Sequence, residues 1–299
     1  MSPVNRMVRH GLIQENVPLG PLTTYKSGGP ARYLIDVLDS AALVELAESG
    51  DIADLPVLVL GRGSNLVVSD TGFPGLVIRL GEGFARLGFD GDQVVAGAAM
   101  ALPRLARAAV EQSLAGLEFF FGIPGSVGGA VRQNAGCFGY ETRDRLVHAT
   151  VVELSTGASS VRTREDLDLS YRHSNIGSTE VVVEAVFKAV PGNAEASKSE
   201  LRRITRWRRD NQPGGTFNAG SVFKNPPHVA AGALIDSLGL KGMSVGDVSV
   251  SEKHANFFVA GAGATSADIL ELVIAVKTRV FEESGTILEP EIQFVGFET

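Results

Sequence analysis

Two glycine-dense turns, each fed by an apolar run, constrain this chain more than any other feature. Leu55–Leu60 (LPVLVL) opens directly into Gly61-Arg62-Gly63-Ser64-Asn65-Leu66. Leu117–Phe121 opens into Gly122-Ile123-Pro124-Gly125-Ser126-Val127-Gly128-Gly129-Ala130. A strand that ends in several glycines exposes a row of backbone N–H groups with no β-carbons to keep a ligand away, the kind of concavity that holds a pyrophosphate. Two tight surface turns would explain the glycines. They would not explain the serines and asparagine set among them, or the apolar approach to the second loop, and spacing alone leaves both readings open.

Composition narrows the class. The 35 glycines in 299 residues exceed the ~7% usual in soluble proteins, but they have no period, so a collagen-like fibre is excluded. With 44% hydrophobic and 20% charged residues, the chain can bury enough apolar surface to offset the entropy of ordering it. The formal charge is 27 − 34 = −7, which argues against a dedicated nucleic-acid binder needing a basic surface. The single cysteine, Cys137, excludes an internal disulfide framework and a cysteine zinc site and fits a reducing compartment. No run approaches the ~18 apolar residues of a membrane span, and Met1–Ile13 lacks the apolar core of a leader. A soluble cytoplasmic protein that uses no metal, membrane or nucleic acid is expected.

Short β-branched runs alternate with turns and a few helices. Strands are expected at Leu55–Leu60, Leu76–Leu80, Gln93–Ala96, Thr150–Leu154 and Val181–Val190. One helix runs from a Ser40 cap to Ser49 and stops at Gly50. A second, Leu102–Ser113, carries Leu102, Leu105, Ala109 and Val110 on one face. A third, Ser266–Glu283, has Thr265 and Asp268 at capping-box spacing and an apolar stripe of Leu270, Ile274 and Phe281. The small, turn-rich Pro191–Ser199 marks a domain boundary. The order of elements is α+β rather than strictly alternating βαβ.

Familiar signatures are missing: no P-loop, no H-E-x-x-H, and Pro124 where a nucleophile elbow needs glycine. Gly261-Ala262-Gly263 before a helix is a weak dinucleotide signal, better read as a plain strand–turn–helix connection. Other polar segments have bland alternatives. Arg172 in Tyr171-Arg172-His173-Ser174 could be a solvated arginine. Ser221, Lys224 and Asn225 in Gly220–Pro226 could be a polar loop. Glu289 and Glu291 in Leu288–Ile292 could be outward acids of an edge strand, and His254 a satisfied structural histidine. The arginines 202, 203, 206, 208 and 209 read as a solvated helix face.

Taken together, these segments resemble the UDP-N-acetylenolpyruvoylglucosamine reductase family. The likeness runs in order through Thr23-Thr24-Tyr25-Lys26 with Gly28-Gly29, GRGSNLVVSD (61–70), GIPGSVGGAVRQNAGCFGYE (122–141), YRHS (171–174), NAGSVFKNP (218–226), SEKHANFF (251–258) and LEPEIQFVG (288–296). One such motif would be weak; seven in order are specific.

The resemblance implies a vanillyl-alcohol-oxidase-type FAD domain over 1–195, built of two α+β subdomains (about 1–80 and 81–195). An α+β substrate-binding domain over 196–299 follows, its last residues packing back on the first subdomain. FAD would be non-covalent, since the Gly-His segment of covalently flavinylated oxidases of that fold is missing. Its pyrophosphate and neighbouring groups would lie on Gly61, Arg62, Gly63, Ser64, Asn65, Leu66, Gly122, Ile123, Pro124, Gly125, Ser126, Gly128, Gly129 and Ala130. The implied reaction is NADPH-dependent reduction of UDP-N-acetylglucosamine enolpyruvate to UDP-N-acetylmuramate, a step of peptidoglycan precursor synthesis and so of cell-wall biogenesis, shape and division. By the family's motifs Arg172 meets the substrate carboxylate, Ser221 protonates C2 and Glu291 is the acid, with Lys224, Asn225 and His254 binding substrate. No tyrosine-rich insertion separates Arg172 from Ser221, which is the pattern of the family's shorter class. Two rivals are an FAD-dependent sugar or alcohol oxidase of the same fold, which has no use for Arg172, Ser221 and Glu291, and a flavin-free nucleotide-sugar sensor.

Overall fold

A computed structural model describes residues 13–50 and 52–297. The segment 1–12, from which a leader is judged absent, lies outside the described residues. Contacts divide the chain into two units. The first comprises residues 13–15, 33–61 and 75–206 of the described chain. The second comprises Asn16–Arg32, Arg62–Pro74 and residues 207–297. Among the described residues no helix is long and apolar enough to cross a membrane.

The first unit is built on a five-stranded antiparallel sheet in the order Ser159–Thr163, Leu146–Glu153, Glu180–Lys188, Gln93–Gly97, Leu87–Asp90. Its central strand, EVVVEAVFK, is a near-continuous apolar run because both faces are covered. Val181 and Val183 join one core with Val152 and Leu154, while Val182, Ala185 and Phe187 join another with Val94 and Ala149. The parity changes at Val183, where the register skips from Thr150↔Glu184 to Val151↔Val182, a bulge after which odd-numbered residues face the core that Val182 faces before it. Val190, expected to end this strand, instead joins Pro191 in a separate pairing with Leu114–Ala115.

Helix α1 (Ser40–Glu48) buries Leu43, Leu46 and Ala47 in the core that also holds Leu76 and Ile78. Its cap is Asp39, not Ser40: extended Asp39 accepts the Ala42 amide at 3.0 Å, so Ser40 becomes the first helical residue. Gly50 follows at φ 68°, as expected of a stop. Helix α2 (Leu102–Glu111) buries Leu102, Leu105, Ala106, Ala109 and Val110, the expected face. Helix α3 (Val127–Gln133) begins inside the second glycine segment.

Pro191–Ser199 does not form an open linker. Helix α4 (Ala194–Asn211) starts within it, because Asn193 Oδ1 accepts the Glu195 and Ala196 amides at 2.9 and 3.0 Å. The residues that favour loops also cap helices. Of α4 only Ser197 and Ile204 are buried, and Arg203 and Arg209 pair with Glu200 and Asp210.

The second unit contains α5 (Ala231–Ser237), the antiparallel strands Ser244–Val245, Val248–Val250 and Phe258–Ala260, and the long α6 (Ser266–Ser284). Thr265 and Asp268 form the expected capping box, and Gly285 closes α6 at φ 68°. The stripe is different from the one expected: Ile269, Leu272, Val273, Val276 and Val280 face the core, while Ile274 and Phe281 are each 54% exposed. Two overlapping stripes fit a 3.6-residue period here, and the denser one is buried. Gln293–Val295 pairs in parallel with Leu66–Val68. The Gly261–Gly263 turn spends its amides on Asp247, with Gly263 N–H donating to Oδ2 at 2.8 Å, as a plain connection would.

Candidate active site

Gly61 follows the carboxyl end of Val57–Leu60, which runs parallel to Phe73–Leu80. A β-carbon on Gly61 would sit 2.7 Å from Ser126 Oγ, so these two loop residues approach as closely as they do only because one is glycine. Gly63, at φ 60°, is pressed against the Leu22 carbonyl. Among the described residues the amides of Arg62, Gly63, Ser64, Gly125 and Ser126 donate to no backbone carbonyl. In each loop taken by itself, amides left unspent by the backbone suit a phosphate group of the FAD that the resemblance implies.

Not every glycine offers its amide. Gly128 N–H donates to Ala98 O at 2.9 Å, Gly129 N–H to Ser126 Oγ at 3.4 Å, and Ala130 N–H to Ser126 O at 2.9 Å. Ile123 donates to Phe120 O, and Pro124 has no N–H. These residues shape the loop, and a β-carbon at Gly128 would stand 3.0 Å from that of Ala98. Cys137 Sγ donates to the Phe119 carbonyl at 3.0 Å, which is packing chemistry.

Arg172, also in the first unit, occupies the left-handed region at φ 55°. For a long side chain this costs on the order of 1–3 kcal/mol and persists only where surrounding contacts enforce it. Ser170 and His173 exchange backbone hydrogen bonds at 3.2 and 3.0 Å around it. The guanidinium lies 5.0 Å from the Tyr171 ring centre, and Nη2 donates to the Gly136 carbonyl at 3.1 Å.

The second unit brings together Ser221, Lys224, Asn225 and Glu291. The segment 218–226 is gripped from two sides. Asn256, 3% exposed, accepts the Val222 amide on its carbonyl at 2.8 Å and the Phe223 amide on Oδ1 at 2.9 Å. Its Nδ2 donates to Phe223 O at 2.8 Å. On the other side Glu291 N–H donates to Val222 O at 2.7 Å and Lys224 N–H to Glu289 O at 2.9 Å. Leu288 and Ile292 are core residues, so LEPEI is no outward edge strand. Glu289 is exposed and lies 3.4 Å from Lys224 Nζ, whereas Glu291 is half-buried.

Asn65, expected only on the cofactor side, donates Nδ2 to the Glu291 carbonyl at 3.0 Å and accepts the Gln293 amide on its own carbonyl at 2.9 Å. Asn225 Oδ1 accepts the Ala231 amide that opens α5. A cavity of about 320 Å³ is lined by Ser221, Asn225, Asp236, Lys241, Lys253 and His254. His254 is held below its usual pKa of 6.5, first by burial and then by the nearby Lys241 charge. Its Nδ1 accepts the Asn256 amide at 3.2 Å, leaving the proton of the neutral ring on Nε2. Sequence reasoning missed Asn256 as a hub, although it lies inside the SEKHANFF motif.

A profile of the UDP-N-acetylenolpyruvoylglucosamine reductase C-terminal domain matches residues 212–295, and an FAD binding domain profile matches residues 33–159. The chain is 41% identical over 286 residues to the UDP-N-acetylenolpyruvoylglucosamine reductase of Azorhizobium caulinodans, covering 96% of this chain and 92% of that one. It is 43% identical over 286 residues to that of Parvibaculum lavamentivorans, with the same coverage. The crystal structure of the reductase from Thermus caldophilus superposes with a TM-score of 0.82 at 38% identity, covering 95% of this chain and 99% of that one.

Proposed function

The chain belongs to the UDP-N-acetylenolpyruvoylglucosamine reductase family, and on that premise we propose that it reduces UDP-N-acetylglucosamine enolpyruvate to UDP-N-acetylmuramate with NADPH as electron donor. Bound FAD supplies the chemistry of accepting a hydride from one nucleotide and delivering it to the other's enolpyruvyl C3. The Gly61–Leu66 and Gly122–Ala130 loops hold it without a covalent link, through the unspent amides described above.

The remaining work falls to side chains. Negative charge gathers on C2 and the adjoining carboxylate as C3 is reduced, and preorganised donors contribute most where charge develops. Arg172 offers a planar guanidinium to that carboxylate through paired hydrogen bonds. Glu291 contributes only if protonated, a state that a neighbouring substrate carboxylate promotes. Ser221 delivers the proton to C2. Serine is a weak acid, so the step needs a strongly basic carbon directly against it and a cation such as Lys224 to stabilise the alkoxide. Asn225 and His254 contact the nucleotide-sugar. The enzyme acts in the cytoplasm as a monomer.

The observation that carries this reading is local to the second unit. Ser221 lines the cavity, and its neighbour Val222 accepts the Glu291 amide at 2.7 Å, which holds proton donor and acid on adjoining segments. Visible absorption tests it in one cuvette: the flavin band of the purified protein should bleach with anaerobic NADPH and return on adding the enolpyruvyl nucleotide. Protein that stays colourless after incubation with FAD would sink it.

A further inference from the structure

Asn134 belongs to the GIPGSVGGAVRQNAGCFGYE motif, yet none of the chemistry above uses it. Its side chain is fully buried, and it closes α3 in the left-handed conformation, φ 42° and ψ 52°, which asparagine tolerates better than most residues. From there its carboxamide reaches three ways. Nδ2 donates to the Ser170 carbonyl at 2.8 Å and to Glu141 Oε2 at 3.0 Å, and Oδ1 accepts the Arg143 amide at 2.9 Å. Both N–H donors and the carbonyl are therefore in use.

Ser170 opens the turn that carries Arg172. That turn is anchored at three points: Asn134 Nδ2 on Ser170 O, Ser174 Oγ on Arg132 O at 2.5 Å, and Arg172 Nη2 on Gly136 O. All three anchors lie within residues 132–136, the C-terminal end of α3 and the chain just beyond it. Of these only Asn134 grips the turn from a side chain that is itself locked in place by bonds to a third segment, 141–144. A left-handed arginine persists only where its surroundings over-determine it, and Asn134 is the buried part of those surroundings.

We infer that Asn134 is a positioning residue for Arg172, fixing the turn so that the guanidinium meets the substrate carboxylate in one geometry. It affects the reaction only through Arg172. The inference rests on the role proposed for Arg172.

The test is a double-mutant cycle on the holoenzyme, with the two half-reactions followed separately by anaerobic stopped flow. Asn134→Gly keeps an easy left-handed backbone and removes the brace together with its bonds to Glu141 and Arg143. It should slow flavin reoxidation by the enolpyruvyl nucleotide ~10- to 100-fold, the scale of an ångström misplacement, while reduction by NADPH changes less than ~3-fold. In an Arg172→Ala background the same change should slow reoxidation by no more than ~2- to 3-fold, because partners in one network are not additive. Calorimetric affinity of the oxidised enzyme for the nucleotide should follow the same pattern, weakening with Asn134→Gly only while Arg172 is present.

Equal losses in both backgrounds, or in both half-reactions, would mark a merely structural asparagine and overturn the inference. Normal reoxidation in Asn134→Gly beside a defective Arg172→Ala would overturn it alone. Normal reoxidation in Arg172→Ala would instead remove the proposed role of Arg172, and this inference with it. Should the glycine variant not fold, Asn134→Asp keeps the shape and the acceptor for Arg143. It sets an oxygen against the Ser170 carbonyl and the Glu141 carboxylate, and the same split between half-reactions is expected of it.

Discussion

Asn134 in the first unit and Asn256 in the second each support a segment bearing a proposed catalytic side chain, but from different kinds of backbone. Asn134 is left-handed and ties three separate segments together beside a left-handed Arg172. Asn256 is not left-handed and makes its side-chain bonds to both backbone groups of one residue, Phe223. That two-bond exchange is what a neighbouring strand would provide, and isolated bridges at Ser221↔Phe257 and Phe223↔Pro290 continue it. A carboxamide carries a donor and an acceptor, so it can replace a missing rung of ladder wherever the chain is irregular. In the first unit this substitution fixes the geometry of a strained turn. In the second it contributes chiefly stability, and loss of either asparagine should show which.

The largest effect belongs to the chemistry that the second scaffold carries. Ser221→Ala should slow flavin reoxidation by the enolpyruvyl nucleotide ~10²- to 10⁴-fold, the range of a lost proton donor. NADPH-driven bleaching should be nearly unchanged, because only the second half-reaction needs a proton at C2. Stopped-flow traces that lose both phases together would show that Ser221 supports the site rather than the proton.

Asn256→Ala is the direct contrast to Asn134→Gly. It strands the buried amide and carbonyl of Phe223, each worth ~1–3 kcal/mol when left unsatisfied, so urea unfolding should show a loss of about 2–5 kcal/mol. The folded fraction should still turn over within a few-fold of the parent. Undiminished stability with a large rate loss would place Asn256 with Asn134 and dissolve the distinction.

Much of this is legible in the amino-acid sequence. The face of α2, the capping box of α6 and the two glycine segments all follow from local rules that the structure obeys. The buried face of α6 is not, because Leu270, Ile274 and Phe281 satisfy the helical period nearly as well as the denser stripe that packs. Nor could the sequence tell which loop amides stay unspent. That depends on the Ala98 and Met100 carbonyls, which take the Gly128 and Val127 amides across about thirty residues of chain. Asn65 is expected only on the cofactor, Asn134 and Asn256 stand inside motifs without a role of their own, and only tertiary pairing shows that each holds a backbone in place.

A smaller effect concerns pH in the second unit. Burial and Lys241 keep His254 neutral below its ordinary 6.5. As pH falls through about 6.5 the unfolded chain takes up a proton that the folded chain refuses, so stability is full above that value and declines beneath it until the lowered folded value is reached. His254→Gln has nothing to protonate. Its urea midpoint should therefore fall less than the parent's between neutral and mildly acidic pH. Parallel curves for the two proteins would mean that the ring is hydrated enough to titrate normally.

The smallest effect tests how completely the second unit satisfies its polar groups. Tyr25 is buried in that unit's core, and its hydroxyl, directed toward the Ala219 backbone, completes no hydrogen bond. Burial drives its pKa upward against a smaller opposing pull from the Ala219 backbone, so it stays a neutral phenol whose desolvation no completed hydrogen bond makes good. Asn256, by contrast, has both side-chain heteroatoms bonded. If that accounting is right, Tyr25→Phe deletes a cost and leaves the ring's packing unchanged, and stability should hold or rise by up to ~1 kcal/mol. The urea midpoint at constant slope measures this. A loss of more than ~1 kcal/mol would mean that the hydroxyl does reach the Ala219 backbone. Tyr25 would then join the asparagines as a brace, on the chain two residues before Ser221, and Ser221→Ala kinetics measured in the Tyr25→Phe background would show whether that brace reaches the proton donor.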